Sequence, residues 1–448
     1  MGEEFTASRP LSVPNRFIPC VLVCMCGWLS SLEASQFGYS LGYRAEYSDN
    51  ITRIPNEREG RSDLINTASA GFSYIENTST INARVVGAAA YSSYRRSSFE
   101  NQTNLNLDAY GEAFVVQRTL SWVAADGFRR LQIDPLLPDT PANRQNSNSW
   151  ATGPNAYLRL GSVDTVTFEG RYGRAWVENI DIDNNRYAYA ARWAHRATAR
   201  SVLSLNYEHL DVDFENDTLN TDLSRKNYFL RADFREARMQ FTFDLGHARI
   251  ERSGNDPDGD WLIHLTASTQ AATASGMGLG YRRKYSDTGG DLLPTAAPTQ
   301  PSAGGGMTTL GTDVVTSEPY YLEAAELYYT YTGNVFPWTV QMFHRDIDYQ
   351  TLPGDRQEKG ALVDVRYLYS SSVSFQLLSA YNILAYDQPL REDRQSNVGI
   401  TLTYRMTPNL RAEMGVRRFG RRSTEPDQEY TDDRVAITLL YGNRPAAH

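Results

Sequence analysis

The chain has 448 residues and a net charge of −9 at pH 7, and it lacks the basic surface that a nucleic-acid binder needs. Beyond the first 35 residues, no stretch supplies the ~20 continuous apolar residues of a membrane helix. The 28 tyrosines suit a different membrane class, the β-barrel. In a β-barrel half of each strand faces water, and aromatic rings mark the lipid boundary.

The amino terminus has the order of an export signal. Arg9 and Arg16 precede the apolar run 17–32, and small residues follow that run. This arrangement is typical of a secretory signal peptide. We therefore expect residues 1–35 to be a signal that is cleaved close to Ala34. All three cysteines lie inside it, so the mature chain is expected to contain none.

Strand-like alternation begins directly after the signal. The first strand places apolar and polar residues on opposite faces: Tyr39, Leu41, Tyr43, Ala45 and Tyr47 against Ser40, Gly42, Arg44, Glu46 and Ser48. A period of two is the signature of a strand with two different faces. A polar loop at 49–62 and a tight turn at 77–79 separate the next strands, and a fourth strand spans roughly 103–116.

The alternation breaks between residues 119 and 153. This stretch contains Trp122 and Asp126, followed by the Pro-containing runs 134–135, 140–144 and 152–154. A long irregular segment within a barrel is either a pore constriction or a surface loop. We therefore predict that 119–153 is a constriction or capping loop.

Alternation resumes at residue 156 and is clearest between Ser224 and Ile250. Two runs with one apolar and one charged face flank a short polar turn at 236–237, which predicts a β-hairpin. Similar runs continue to Tyr441. Short turns alternate with long polar connections, and the longest, 287–317, is predicted to be flexible. Residues 442–448 form a short tail.

Repeated over 36–441, this pattern predicts an all-β fold, a transmembrane up-and-down antiparallel β-barrel of about 18–20 strands. The count is nearer eighteen if the stretch around Trp122 is outside the wall. Such a barrel has an apolar outer face and a wet lumen, with short turns at one rim and long loops at the other. An export signal on such a barrel indicates a bacterial outer membrane.

The predicted inward face carries more bases than acids. Its cationic members are the candidate pore-lining, substrate-contacting residues: Arg44, Arg84, Arg159, Arg171, Arg192, Arg231, Arg235, Arg282, Lys284, Arg366, Arg405, Arg411, Arg417 and Arg434. In a barrel wide enough to hold an aqueous channel, such an excess attracts anions. The alternative is a ladder of arginine–carboxylate pairs that only fills the lumen.

The sequence contains little evidence for catalysis, for a metal site or for a cofactor. A hydrolase needs a nucleophile beside a base, and the histidines are scattered. Only His264 lies inward within a predicted strand. There is no GxSxG motif and no Cys/His cluster with metal-ligand spacing. We expect no enzyme activity, no catalytic residues, no metal site and no cofactor.

Four short motifs carry a family resemblance: 47–50 (YSDN), 141–144 (PANR), 153–154 (GP) and 171–173 (RYG). With these, the chain resembles the β-barrel porin family found with bacterial exopolysaccharide gene clusters. The resemblance implies an outer-membrane barrel of about eighteen strands that takes part in exporting or anchoring surface polysaccharide. It brings no catalytic residues.

The function expected from residues and resemblance together is an outer-membrane channel for a secreted exopolysaccharide. A general or anion-preferring diffusion porin is the first alternative, and a non-catalytic sheath or anchor for a partner protein is the second. The expected partners are outer-membrane lipid and lipopolysaccharide, a polysaccharide substrate and a periplasmic polymer-export apparatus, with no nucleic acid.

Overall fold

The computed structural model describes residues 35–55, 58, 60–216, 220–254, 256–272, 274–294, 316–349 and 354–443. The predicted signal peptide, the central part of the predicted loop 287–317 and the end of the predicted tail lie outside these described residues. Among the described residues, no helix is long and apolar enough to span a bilayer.

The structure consists of twenty β-strands, numbered in chain order. β1 to β20 are Ser35–Ser48, Asp63–Asn77, Ile81–Tyr94, Gln102–Val116, Leu120–Gln132, Arg144–Leu160, Asp164–Val177, Asn184–Arg196, Ser201–Phe214, Leu223–Arg235, Met239–Arg252, Asp258–Ala272, Ser275–Ser286, Tyr320–Tyr331, Trp338–Tyr349, Arg356–Leu368, Val373–Tyr386, Arg391–Arg405, Leu410–Ser423 and Tyr430–Gly442. One short α-helix, α1 (Thr288–Leu292), follows β13.

Each strand pairs antiparallel with its neighbours in the chain, and β20 pairs with β1, for example through Tyr43 and Leu439. The sheet is therefore a closed up-and-down barrel, as the sequence predicted. Closure satisfies the backbone N–H and C=O groups of every strand without an open edge, which a structure inside a lipid bilayer requires.

The hairpin predicted between Ser224 and Ile250 is present as β10 and β11, with Leu230 opposite Leu245 and Arg231 opposite Asp244. Its turn, 236–238, is one of the short connections that occupy one rim, which we call the short-turn rim. The longer connections, such as those from β1 to β2 and from β13 to β14, begin and end at the opposite, long-loop rim.

Alternation along the strands gives the barrel an apolar outer band. Leu41, Leu158, Leu205, Leu230 and Ile437 each expose about half of their surface on the outside of the barrel. Their neighbours in sequence point into the lumen. A band of this kind faces the hydrocarbon of a membrane.

The prediction of a loop over 119–153 is wrong for most of that stretch. β5 and β6 occupy it, are paired from Leu120 to Gln132, and leave only 133–143 as a loop. The alternation is hidden because these strands carry polar residues such as Asp126 and Asn148 outward, and apolar residues such as Val123 inward. Trp122 belongs to the wall, so the twenty-strand count holds.

Two smaller boundaries also differ from prediction. The barrel begins at Ser35 rather than at residue 36, and Gly442 is the last residue of β20 rather than the first residue of a tail. Within the predicted loop 287–317, the structure places α1 directly after Asp287. The first part of that connection is therefore ordered by helical hydrogen bonds.

Candidate functional site: a basic vestibule below a filled outer lumen

All fourteen predicted pore-lining cations lie on wall strands at inward positions. Arg231 illustrates the rule: it alternates with the outward Leu230, and it faces Asp244 across the β10–β11 ladder. The others follow the same parity in their own strands. Their orientation is thus as predicted, while their role toward a substrate stays a prediction.

Seven of these cations have a carboxylate within 4.0 Å. Arg231 forms a two-point pair with Asp244, at 2.6 Å from Nε to Oδ1 and 2.7 Å from Nη2 to Oδ2. His264 Nδ1 lies 3.2 Å from the same carboxylate, so the inward histidine has an acidic neighbour that the sequence did not reveal. The remaining pairs are Arg44 and Arg434 with Glu46, Arg171 with Glu169, Lys284 with Asp291, Arg366 with Asp364 and Arg411 with Glu413.

The other seven have no carboxylate within 4.0 Å among the described residues. They are Arg84, Arg159, Arg192, Arg235, Arg282, Arg405 and Arg417. Arg192 instead donates to Asn206 Oδ1 at 2.7 Å. A ladder that only fills the lumen would leave few guanidinium groups without an acid, so the ladder describes half of the set.

Four of the unpaired arginines lie at the short-turn rim. Arg84 follows the start of β3, and Arg159, Arg235 and Arg405 lie at or next to the ends of their strands. All four are exposed. Together with Arg366 and Arg411, they form what we call the basic vestibule. Its four unpaired guanidinium groups face water and attract anions.

The lumen differs at the long-loop rim, where three segments fold inward. We call the segments 50–55, 133–143 and 287–293 together the outer plug. Inward side chains at this level are almost completely covered: Tyr320, Ile347, Tyr386, Asp393 and Asp432 expose at most 1% of their surface. The outer half of the lumen is thus filled rather than wet.

The β5–β6 loop reaches strands that lie far from β5 around the barrel. Tyr386 Oη on β17 donates to Pro135 O at 3.1 Å, and Arg421 Nη2 on β19 donates to Leu136 O at 3.1 Å. Since β19 and β17 are the sixth and eighth strands from β5 around the ring, the loop crosses the mouth. Of the predicted constriction or capping element 119–153, only residues 133–143 therefore lie across the mouth of the barrel.

The third plug segment, 287–293, is held by a buried ion cluster. Asp287 Oδ1 lies 2.7 Å from Arg186 Nη1 on β8, and Oδ2 lies 3.7 Å from Arg225 Nη1 on β10. Asp287 also accepts from Gly290 N and thereby caps α1. Burial alone would raise the pKa of Asp287, but the two guanidinium groups hold the pKa below its usual range.

α1 packs against the wall through small residues and an apolar cluster. The absence of a side chain at Gly127 on β5 makes space for α1, since a Cβ at this position would lie 1.9 Å from Leu292 O. The side chain of Leu292 joins Leu131, Val212 and Phe229 in a cluster that also includes inward residues of β7, β11 and β12. These inward apolar residues contradict a lumen that is polar at every depth.

The β1–β2 loop completes the plug. Ile51 packs with Ile65 and Tyr94 of the inner wall. Arg53 lies with its guanidinium carbon 4.7 Å from the centre of the Phe419 ring, and its Nη1 donates to Asp139 O at 2.6 Å. The first and second plug segments therefore contact each other as well as the wall.

Among the described residues, no group of three His, Cys, Asp or Glu side chains could hold a metal ion. The family model described as "Putative beta-barrel porin 2" matches residues 357–441. The family resemblance is therefore confirmed, although on later strands than the motifs that suggested it. No curated protein matches this chain.

Three solved structures are similar in fold. The siderophore receptor PirA from Pseudomonas aeruginosa is 12% identical, with 91% of this chain and 80% of that chain covered at a TM-score of 0.44. The FrpB iron transporter from Neisseria meningitidis is 8% identical, with 90% and 81% covered at 0.43. OpdK from Pseudomonas aeruginosa, solved with vanillate, is 10% identical, with 91% and 99% covered at 0.40.

The family match extends from β16 to β20, and the chain closes twenty strands around a lumen behind a lipid-facing band. In such barrels the short turns face the periplasm and the long loops face the outside. The basic vestibule thus opens to the periplasm, and the outer plug lies on the extracellular side. The chain is therefore an outer-membrane β-barrel that resembles porins and other channel-forming barrels.

Proposed function

We propose that the barrel is a non-enzymatic outer-membrane passage for a secreted acidic polysaccharide. The observation that carries the proposal is the basic vestibule, where Arg84, Arg159, Arg235 and Arg405 have no carboxylate partner and face water. These groups meet a polymer that arrives from the periplasm. Each exposed guanidinium binds a polymer carboxylate weakly, and weak exchangeable sites permit conduction.

The difference between the two ends of the lumen favours export over uptake. Cations lie at the periplasmic mouth, where an exported acidic chain would enter, and the plug lies at the exit. A periplasmic polymer-export apparatus is the partner that would deliver the chain to this mouth. The plug would then prevent free diffusion through the barrel while no polymer is in transit.

Two alternatives make different demands on the same residues. An anion-preferring diffusion porin would use the vestibule for small solutes, and many such porins act as trimers. A sheath or anchor for a partner protein would conduct nothing. Native mass and single-channel conductance separate these two from each other.

The test is charge reversal of the four unpaired vestibule arginines to glutamate, with a matched variant in which the same four become lysine. The glutamate variant should turn an anion preference toward cations in planar bilayers and lower surface polysaccharide in cells, at unchanged barrel abundance. The lysine variant should keep both. A change in ion preference alone would favour the porin, and no change in either would favour the sheath.

A further inference from the structure

The outward face at the long-loop rim is not uniform around the barrel. From β1 to β14 the lipid-facing band ends mostly on aromatic rings: Tyr47, Tyr91, Trp150, Tyr172, Tyr187, Tyr207, Tyr228, Trp261 and Tyr281. Such rings are the usual boundary residues of membrane barrels. Between β15 and β19 the boundary is built mainly from basic side chains instead.

The register places these basic residues in one row. His344 on β15 faces Lys359 on β16, which faces Ile383 on β17. Ile383 in turn faces Arg394 on β18, which faces Arg422 on β19. Four of the five positions in this row can carry positive charge, and we call it the basic row. Lys359 and Arg422 lie three strands apart, a distance of about 14 Å.

An apolar groove lies next to the basic row on the same outer surface. Met342, Ala361, Tyr381 and Ile383 line a surface cavity whose polar side is formed by His344 and Lys359 among others. Met342 and Tyr381 expose about half of their surface. The groove therefore offers hydrocarbon contact on one side and a cation on the other.

Two members of the basic row lack a carboxylate partner. Arg394 Nε is 2.8 Å from Glu392 Oε1, and His344 Nε2 is 3.3 Å from Asp346 Oδ2. Among the described residues, Lys359 and Arg422 have no carboxylate within 4.0 Å, and both are exposed. An ammonium on a flexible stem beside hydrocarbon is suited to a phosphate at the membrane surface.

We infer that β15–β19 form a binding site for a phosphorylated, acylated lipid of the outer leaflet. Lys359 and Arg422 contact its phosphates, and the groove beside Met342 and Tyr381 holds an acyl chain. Charge complementarity carries the assignment, since Lys359 and Arg422 have no carboxylate partner among the described residues, whereas the outward cations Lys226 and Arg249 of β10 and β11 are neutralised by Glu251. The site lies on the outer wall and is therefore independent of the function proposed for the lumen. It assigns the lipopolysaccharide contact expected from the sequence to specific residues.

The test is a titration of the folded barrel with bis-phosphorylated lipid A in neutral detergent micelles. Native mass spectrometry counts the lipid molecules bound to each barrel. The probe pair is lipid A with and without its phosphates. The variant is Lys359→Glu with Arg422→Glu. The control is Lys226→Glu with Arg249→Glu, which face each other on the outer wall of β10 and β11 and both pair with Glu251.

The site variant should bind lipid A roughly 25-fold more weakly, since each of the two basic residues lost contributes a factor of about five at a membrane surface. The control should bind as the unaltered barrel does, and the phosphate-free lipid should bind poorly to all three. Heat-modified gel mobility verifies folding, and glutamine replacements serve if the glutamate variant misfolds. Equal binding of both lipids, equal loss in site and control variants, or a second copy of the chain on this sector would overturn the assignment.

Discussion

The two halves of the lumen share the same strands and differ in what fills them. At the periplasmic half, Arg84, Arg159 and Arg405 point into water without carboxylate partners. At the outer half, charged groups such as Asp287 and Arg186 are buried against each other beneath folded-in segments. The comparison shows that inward orientation alone does not make a residue accessible to a solute. Access depends on whether a loop folds back over it.

The largest effect is expected from breaking the buried cluster of the outer half. Asp287→Ala leaves Arg186, 6% exposed, and Arg225 without a carboxylate. Removing one partner of a buried ion pair costs ~3–5 kcal/mol of unfolding free energy. Urea unfolding measured by heat-modified mobility checks this value.

The matched control for that change is Asp427→Ala. The Asp427 carboxylate is mostly exposed and lies 3.9 Å from Arg58, so its loss should cost ~0–1 kcal/mol. Equal costs for the two variants would show that the outer half is no less wet than the surface.

A smaller effect distinguishes the wet vestibule from the lipid face. Leu205→Arg places a charge in the lipid-facing band and should cost ~2–4 kcal/mol near the bilayer midplane. Thr242→Arg lies inward at the periplasmic end beside Asp233, to which Thr242 Oγ1 donates at 2.7 Å, and should cost little. Ser204 is unsuitable as the inward position, because it is 5% exposed and accepts from Asn206. Similar losses for Leu205→Arg and Thr242→Arg would contradict a wet vestibule.

The smallest effect is a gradual dependence on pH. The folded state lowers the pKa of Asp287 below its value in the unfolded chain. Its stabilisation is therefore complete above about pH 4 and is lost as the pH falls further. Acidification should loosen the plug and raise conductance, while guanidinium groups of the vestibule stay charged and the anion preference persists. An Asp287→Asn variant that responds to acid as the unaltered barrel does would assign the response to another group.

The sequence predicted the part of this molecule that obeys local alternation. From the period of two we predicted the strands of the wall and the hairpin of β10 and β11. The same period predicted that all fourteen cations point inward. It failed for β5 and β6, where the inward Val123 and Leu131 are apolar and almost fully buried while the outward Asp126 and Asn148 are polar. Inward parity also does not make Phe229 accessible, because Leu292 from a distant loop packs in its cluster and Phe229 is only 6% exposed.

Pairing between distant residues could not be predicted either. Arg231 and Asp244 are close in a hairpin, so their contact follows from register. The contacts of Tyr386 with Pro135 and of Arg186 with Asp287 depend on how loops cross the mouth, which local pattern does not encode. The division of the arginines into paired and unpaired groups thus required the structure.

The most direct test of the central claim is the single-channel conductance of a barrel that lacks the loop across its mouth. Ile133 N already donates to Asn143 O at 3.1 Å, so a two-residue turn can replace residues 134–142 without disturbing β5 or β6. The unaltered barrel should conduct poorly for its strand number, and the deletion should raise conductance several-fold at the same anion preference, further still when combined with Asp287→Ala. A high conductance in the unaltered barrel, unchanged by the deletion in a folded variant, would contradict the filled outer lumen.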